Sequence, residues 1–174
     1  MASTVFRDIY RKHPSFTRLE ALLAGDSKEP VMIRGLTGSS RTVVMAGALS
    51  QQPTTHVVLL PEKEDAAYFY NDLTSLIGDD NIFFFPGTYK RSVMYDQTEP
   101  ANIILRAEVL NFLTSGRRKC IIVTYPESVM EKVVSKSNLK KNTFAISKGA
   151  KLSIEFLEEV LRMYNFRRTD FVYE

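Results

Sequence analysis

The sequence predicts an α/β fold, a parallel sheet with helices on both faces, followed by the start of a small α+β domain. Three observations predict it. Short apolar-rich runs alternate with longer stretches of helical spacing. The runs are continuous rather than alternating, as expected for strands covered on both faces. After Val134 the texture turns polar and lysine-rich, and a new strand–helix–strand pattern begins.

The elements follow in order. Val5 to Lys12 and Phe16 to Leu23 carry apolar residues at helical spacing, separated by Pro14, and predict two short helices. Asp26 to Pro30 is a break. Val31-Met32-Ile33 reads as a short buried strand entering a loop at Gly35, and Arg41 to Leu49 as a helix with Val44, Ala48 and Leu49 on one side. His56 to Leu60 is the next strand. Pro61 suits a helix start, since its missing N–H would be unpaired there anyway. Glu62, Glu64 and Asp65 favour the positive end of the helix dipole, and Gly78 ends that helix after Ile77. Ile82 to Phe85 is a strand closed by Pro86-Gly87. Asn102 to Ser115 is a helix with Ile103, Leu110 and Leu113 on or near one face, stopped by Gly116. Cys120 to Val123 is a strand and Pro126 to Val134 a short helix. Ser135 to Asn142 reads as a linker, Thr143 to Ile146 as a strand, Ile154 to Tyr164 as a helix capped by Ser153, and Arg167 to Tyr173 as a strand. The unit then stops without a closing turn, so the chain is expected to be part of a longer protein. The expected organisation is an N-terminal helical extension (1–30), an α/β domain (31–135) and the beginning of a second domain (140–174).

A chain of 174 residues can bury a sizeable core without a disulfide or metal. The single cysteine, Cys120, cannot form an internal bridge, which fits a reducing cytosol. No apolar run has the length of a membrane span, and the polar start lacks the core of a signal peptide. The expected setting is therefore cytoplasmic, with no membrane partner. His13 and His56 are far apart, and no Cys/His/Asp/Glu group has ligand spacing, so no metal site is expected. The net charge of +3 is mild, but from Gly116 to Lys151 nine Lys/Arg face two acids. That stretch reads either as a solvated surface or as a patch for phosphate or an acidic partner.

The most informative stretch is Gly35-Leu36-Thr37-Gly38-Ser39-Ser40-Arg41-Thr42, between an expected strand and an expected helix, the setting of a phosphate-binding P-loop. Gly35 and Thr42 match that pattern. Ser40 replaces the second glycine and adds a Cβ where backbone N–H groups would close on phosphate. Arg41 replaces the lysine with a larger planar fork. Thr42 keeps a hydroxyl suited to magnesium. Hydrolysis would also need an acid to hold the metal and position water, and Thr124-Tyr125-Pro126-Glu127 offers no acidic pair. The loop thus reads as a vestigial nucleotide site, comprising Gly35, Gly38, Ser39, Ser40, Arg41 and Thr42.

This loop closely resembles the Gly-Val-Thr-Gly-Ser-Gly-Lys-Thr loop of UvrB, and Arg106 to Leu110, Arg117 to Val123, Lys148 to Leu152 and Tyr164 to Asp170 extend the likeness. The degenerate loop, and a segment from Phe85 to Arg106 whose Tyr89 and Tyr95 do not reproduce UvrB's tyrosine-rich hairpin, point away from UvrB itself. They resemble the N-terminal UvrB-like module of the transcription-repair coupling factor (Mfd) family. Asp170 to Glu174 is similar to that family's run towards a Glu-Pro-Gly-rich stretch.

The resemblance implies the following. The whole protein would be an ATP- and magnesium-dependent DNA translocase that displaces RNA polymerase, its motor and its polymerase contacts lying outside this chain. The module would be a non-catalytic adaptor that needs no cofactor, recruits UvrA and restrains the motor. Arg167 matches a basic position of the UvrA-facing surface, and one of Arg167 and Arg168 should be exposed if they lie on a strand. The remaining UvrA-facing positions would follow Glu174, so weakened UvrA binding is expected. Two other readings stay open: a nucleotide-binding P-loop domain with an unusual Ser-Arg loop, and a DNA-contacting module using the basic segment.

Overall fold

The structure, a computed structural model, describes residues 9–10, 12–25, 30–50, 52–88, 100–117, 119–144, 146, 148–149, 151–163, 166 and 169. The chain divides into two units, residues 1–136 and 137–174.

The first unit is built on a three-stranded parallel sheet of order β1-β3-β2, with β1 at His56–Leu59, β2 at Ile82–Phe85 and β3 at Ile121–Thr124. Cα partners run His56, Ile121 and Ile82 across one end and Leu59, Thr124 and Phe85 across the other. β3 is central and buried on both faces, which explains its unbroken apolar sequence.

Successive strand residues face opposite ways and feed two cores. On one face, Ile121 and Val123 join Leu60, Ile82, Ala46 and Leu49 of helix α2 (Ser40–Leu49), and Ala66, Phe69 and Leu73 of helix α3 (Lys63–Ile77). On the other, Cys120 and Ile122 pack with Val109 and Phe112 of helix α4 (Pro100–Thr114), flanked by Phe83 and Phe85. A smaller cluster joins helix α1 (Pro14–Ala24) to α2 through Phe16, Leu19, Val44 and Ala48. His13 caps α1, its ring accepting the Ser15 N–H at 3.3 Å. Most of the predicted helix before Pro14 lies outside the described residues.

Three readings of this unit are corrected. Val31-Met32-Ile33 is extended but belongs to no sheet, with exposures of 51%, 75% and 44%. An apolar run becomes a strand only where a neighbouring edge supplies hydrogen bonds, and here the run lies along α1 instead. In α4 the buried residues are Arg106, Val109 and Phe112, while Ile103 and Leu113 are 46% and 43% exposed and Leu110 is half-buried. The helix after β3, α5, spans Pro126–Met130 only, because Glu131 turns extended and engages the loop after β2.

The second unit contains α6 (Lys136–Lys141), which begins at the last residue of the first, and α7 (Ile154–Met163). The stretch expected as a linker is therefore largely helical. It holds no Gly or Pro, and Lys140 and Lys141 sit in the last turn, where cations favour the helix dipole. Of the strand expected over 143–146, Thr143, Phe144 and Ile146 are described and lie outside any strand. Thr143 bonds back to Leu139 O at 2.7 Å, and Phe144 meets the edge of Phe156 at 5.9 Å. Ser153 caps α7 as predicted, accepting the Phe156 N–H at 3.1 Å. The strand expected over Arg167 to Tyr173 lies outside the described residues, Thr169 apart.

Candidate functional site

The glycine-containing loop leads directly into α2. Gly35 and Gly38 take φ values of +87° and +54°, the left-handed region that suits glycine. Ser39 is the N-cap of α2 but makes no side-chain capping bond. Ser40 instead turns on its own loop: its N–H donates to Thr37 O at 3.2 Å and its Oγ donates to the same oxygen at 2.6 Å. A phosphate-binding loop needs such N–H groups pointing at the ligand, and here one is held internally. Arg41 places its guanidinium 6.0 Å from the centroid of the Phe69 ring on α3, a cation–π distance. Thr42, the position whose hydroxyl would ligate magnesium, is buried at 5% exposure. At the end of β3, where a metal-holding acid would be sought, Thr124 donates to Phe85 O at 2.8 Å and Tyr125 is buried.

Among the described residues, a dense cluster of polar contacts lies at the carboxyl ends of β2 and β3. Its centre is Arg106 of α4, 5% exposed. Its Nη1 donates to Pro86 O at 2.8 Å and to the backbone oxygen and Oγ of Ser128 at 3.1 Å each. Its guanidinium lies 4.1 Å from the Phe85 ring centroid and 3.5 Å from Glu131. Glu131 accepts the Thr88 N–H at 2.8 Å and the Thr88 hydroxyl. Tyr125 accepts the Gly87 N–H at 2.8 Å, Asn102 donates to Gly87 O at 2.8 Å, and Ser128 donates to Phe85 O at 2.7 Å. Burial pulls the Arg106 guanidinium below its ordinary range, opposed by the neighbouring Glu131 carboxylate. Arg106 Nη2 is buried without a hydrogen-bond partner, which the stacked Phe85 face partly offsets.

This cluster ties the Pro86-Gly87-Thr88 turn to α4 and to the exit of α5. The sequence carried one signal for it: an arginine three residues before Val109 and six before Phe112 on a helix, the spacing of a single face. The partners Thr88, Tyr125, Ser128 and Glu131 carry no such signal.

The basic residues of the 116–151 stretch fall in both units. Arg117 covers the Phe112 ring at 5.0 Å. Lys119, Lys132 and Lys136 are exposed in the first unit, and Lys140, Lys141, Lys148 and Lys151 in the second. Arg118, Arg167 and Arg168 lie outside the described residues. Cys120 is buried, its Sγ 3.6 Å from Thr55 Oγ1, and burial pushes the thiol up. Among the described residues no three His, Cys, Asp or Glu side chains group as metal ligands, and no helix is long and apolar enough to cross a membrane.

No protein-family model matches the chain. It is similar to the transcription-repair-coupling factor of Rickettsia bellii (strain RML369-C), 28% identical over 114 residues that cover 64% of this chain and 10% of the relative. The same protein of Rickettsia prowazekii (strain Madrid E) is 26% identical over 114 residues with the same coverage. The chain thus spans about a tenth of the length of these curated relatives.

Proposed function

We propose that this chain is a non-catalytic adaptor module of transcription-coupled DNA repair, working through protein contacts rather than nucleotide hydrolysis. The observation that carries the reading is the closed loop at the head of α2, where Thr37 O takes both the N–H and the hydroxyl of Ser40. The Ser40 N–H and hydroxyl would have to leave Thr37 O before either could meet a phosphate. The packed Thr42 and the Arg41 guanidinium over Phe69 support the same reading. The similarity to two transcription-repair-coupling factors supports the repair setting.

In this reading the chain recruits UvrA and restrains a motor carried elsewhere in a longer protein, with RNA polymerase and DNA engaged by other domains. Arg167, with Arg168 beside it, is the basic position through which UvrA would be met. Biolayer interferometry with immobilised chain and soluble UvrA tests this. Saturable binding that weakens at least several-fold in Arg167→Ala is expected. No binding at tens of micromolar UvrA, or an unchanged affinity in the variant, overturns the assignment.

A further inference from the structure

Between α1, the extended segment 30–36 and α2 runs a groove of about 670 Å³. We propose that it docks an acidic amphipathic helix of a partner protein. The floor is fixed, because Phe16, Leu19, Val44 and Ala48 form a buried cluster. One wall is the apolar run Val31-Met32-Ile33, whose side chains are 51%, 75% and 44% exposed. Three consecutive apolar residues in a sheetless, solvent-facing segment have no local reason to stay uncovered. The facing wall is α1, whose 11 residues make a ridge of about 16 Å. A ridge of that length beside an apolar trough suits a helix of three to four turns with anchors at i, i+3 or i+4, and i+7.

Charge selects the occupant. Arg18 and Arg34 line the groove, and among its described lining residues there is no Asp or Glu. A second copy meeting face to face would set these arginines against themselves, which like charges oppose. A partner helix with glutamates flanking its apolar stripe would meet them favourably. Each such contact contributes specificity more than affinity, so the apolar trough sets the strength.

The test uses the whole chain and a fluorescein-labelled 15-residue helical peptide with Leu and Phe at i, i+3, i+4, i+7 and i+11 and Glu on the flanks. A second peptide carries Lys for every Glu. Fluorescence anisotropy should show saturable binding of the Glu peptide and at least tenfold weaker binding of the Lys peptide. Met32→Glu, and separately Arg18→Glu with Arg34→Glu, should each weaken the Glu peptide at least tenfold. These three side chains are exposed, so circular dichroism and thermal midpoints should match the parent chain. Lys140→Glu, in the second unit, should leave affinity unchanged. Equal binding of the two peptides, or an unmoved affinity in Met32→Glu, overturns the proposal. So does binding of laurate without binding of the Glu peptide, which would assign the groove to a small amphiphile. So does a concentration-dependent dimer abolished by Met32→Glu, which would assign it to a second copy.

Discussion

Glu131 lies 3.5 Å from Arg106 Nη1 and, with the same carboxylate, takes the Thr88 N–H at 2.8 Å. One acid thus neutralises a buried cation and holds a turn from 43 residues away in sequence. Removing one member of such a buried pair leaves the other uncompensated, at a cost of about 3–5 kcal/mol. Arg106→Met should therefore lower stability by about 3 kcal/mol, with the Pro86 and Ser128 carbonyls left unpaired. Roughly 6–12 °C of midpoint is then lost. Glu131→Gln, which keeps an acceptor, should cost less. Urea unfolding of both variants checks the order, and an Arg106→Met variant as stable as the parent would show the cluster to be incidental.

The turn itself is tightly fitted. A Cβ added at Gly87 would meet Tyr125 Oη at 3.3 Å and Glu131 Oε2 at 3.5 Å. Gly87→Ala should destabilise by about 1 kcal/mol, in the range for mild overpacking. Tyr125→Phe should cost about 1–2 kcal/mol, because the Gly87 N–H loses its acceptor. The two should be non-additive, since both act on one contact. A double variant whose loss equals the sum of the singles would argue against a shared site.

His56, at the start of β1, has its pKa lowered from 6.5 by burial. Its protonated form is therefore disfavoured in the fold relative to the unfolded chain. The sign follows from linkage: below about pH 6.5 the unfolded state binds the proton more readily, so stability falls as pH drops from there towards the folded pKa. Above that range the contribution is constant. Thermal midpoints from pH 7.5 to 5 should decline, and His56→Gln, which can still meet Thr54 Oγ1, should flatten part of the slope. An unchanged slope would remove His56 from the acid response.

At the loop, millimolar Mg-ATP should leave the thermal midpoint of the natural chain unmoved. A ligand at a hundredfold over its Kd stabilises by about 2.7 kcal/mol, roughly 5–10 °C for a domain of this size. Ser40→Gly with Arg41→Lys removes the Ser40 Oγ bond to Thr37 and restores a compact cation. A shift confined to that double variant is expected. A clear shift in the natural chain would make nucleotide a ligand of this module.

The sequence by itself determined the alternation of elements and the parallel sheet. Ile82–Phe85 emerged with the expected ends, and β1, β3 and α2 within one residue of theirs, because continuous apolar runs act locally; α3 ends at Ile77 as expected but starts at Lys63, two residues after Pro61, with Glu62 as its N-cap. It also marked the loop and its two replaced positions. Only the tertiary structure decided the rest. Whether Val31-Met32-Ile33 becomes a strand depends on a free sheet edge beside it, and no local pattern encodes that edge. Whether Arg106 points inward depends on the carbonyls of Pro86 and Ser128, on Phe85 and on Glu131, all distant in sequence. The strand order β1-β3-β2 rests on the same kind of contact. So does the closed state of the loop, for Ser40 could as well have faced a phosphate had its backbone not folded onto Thr37.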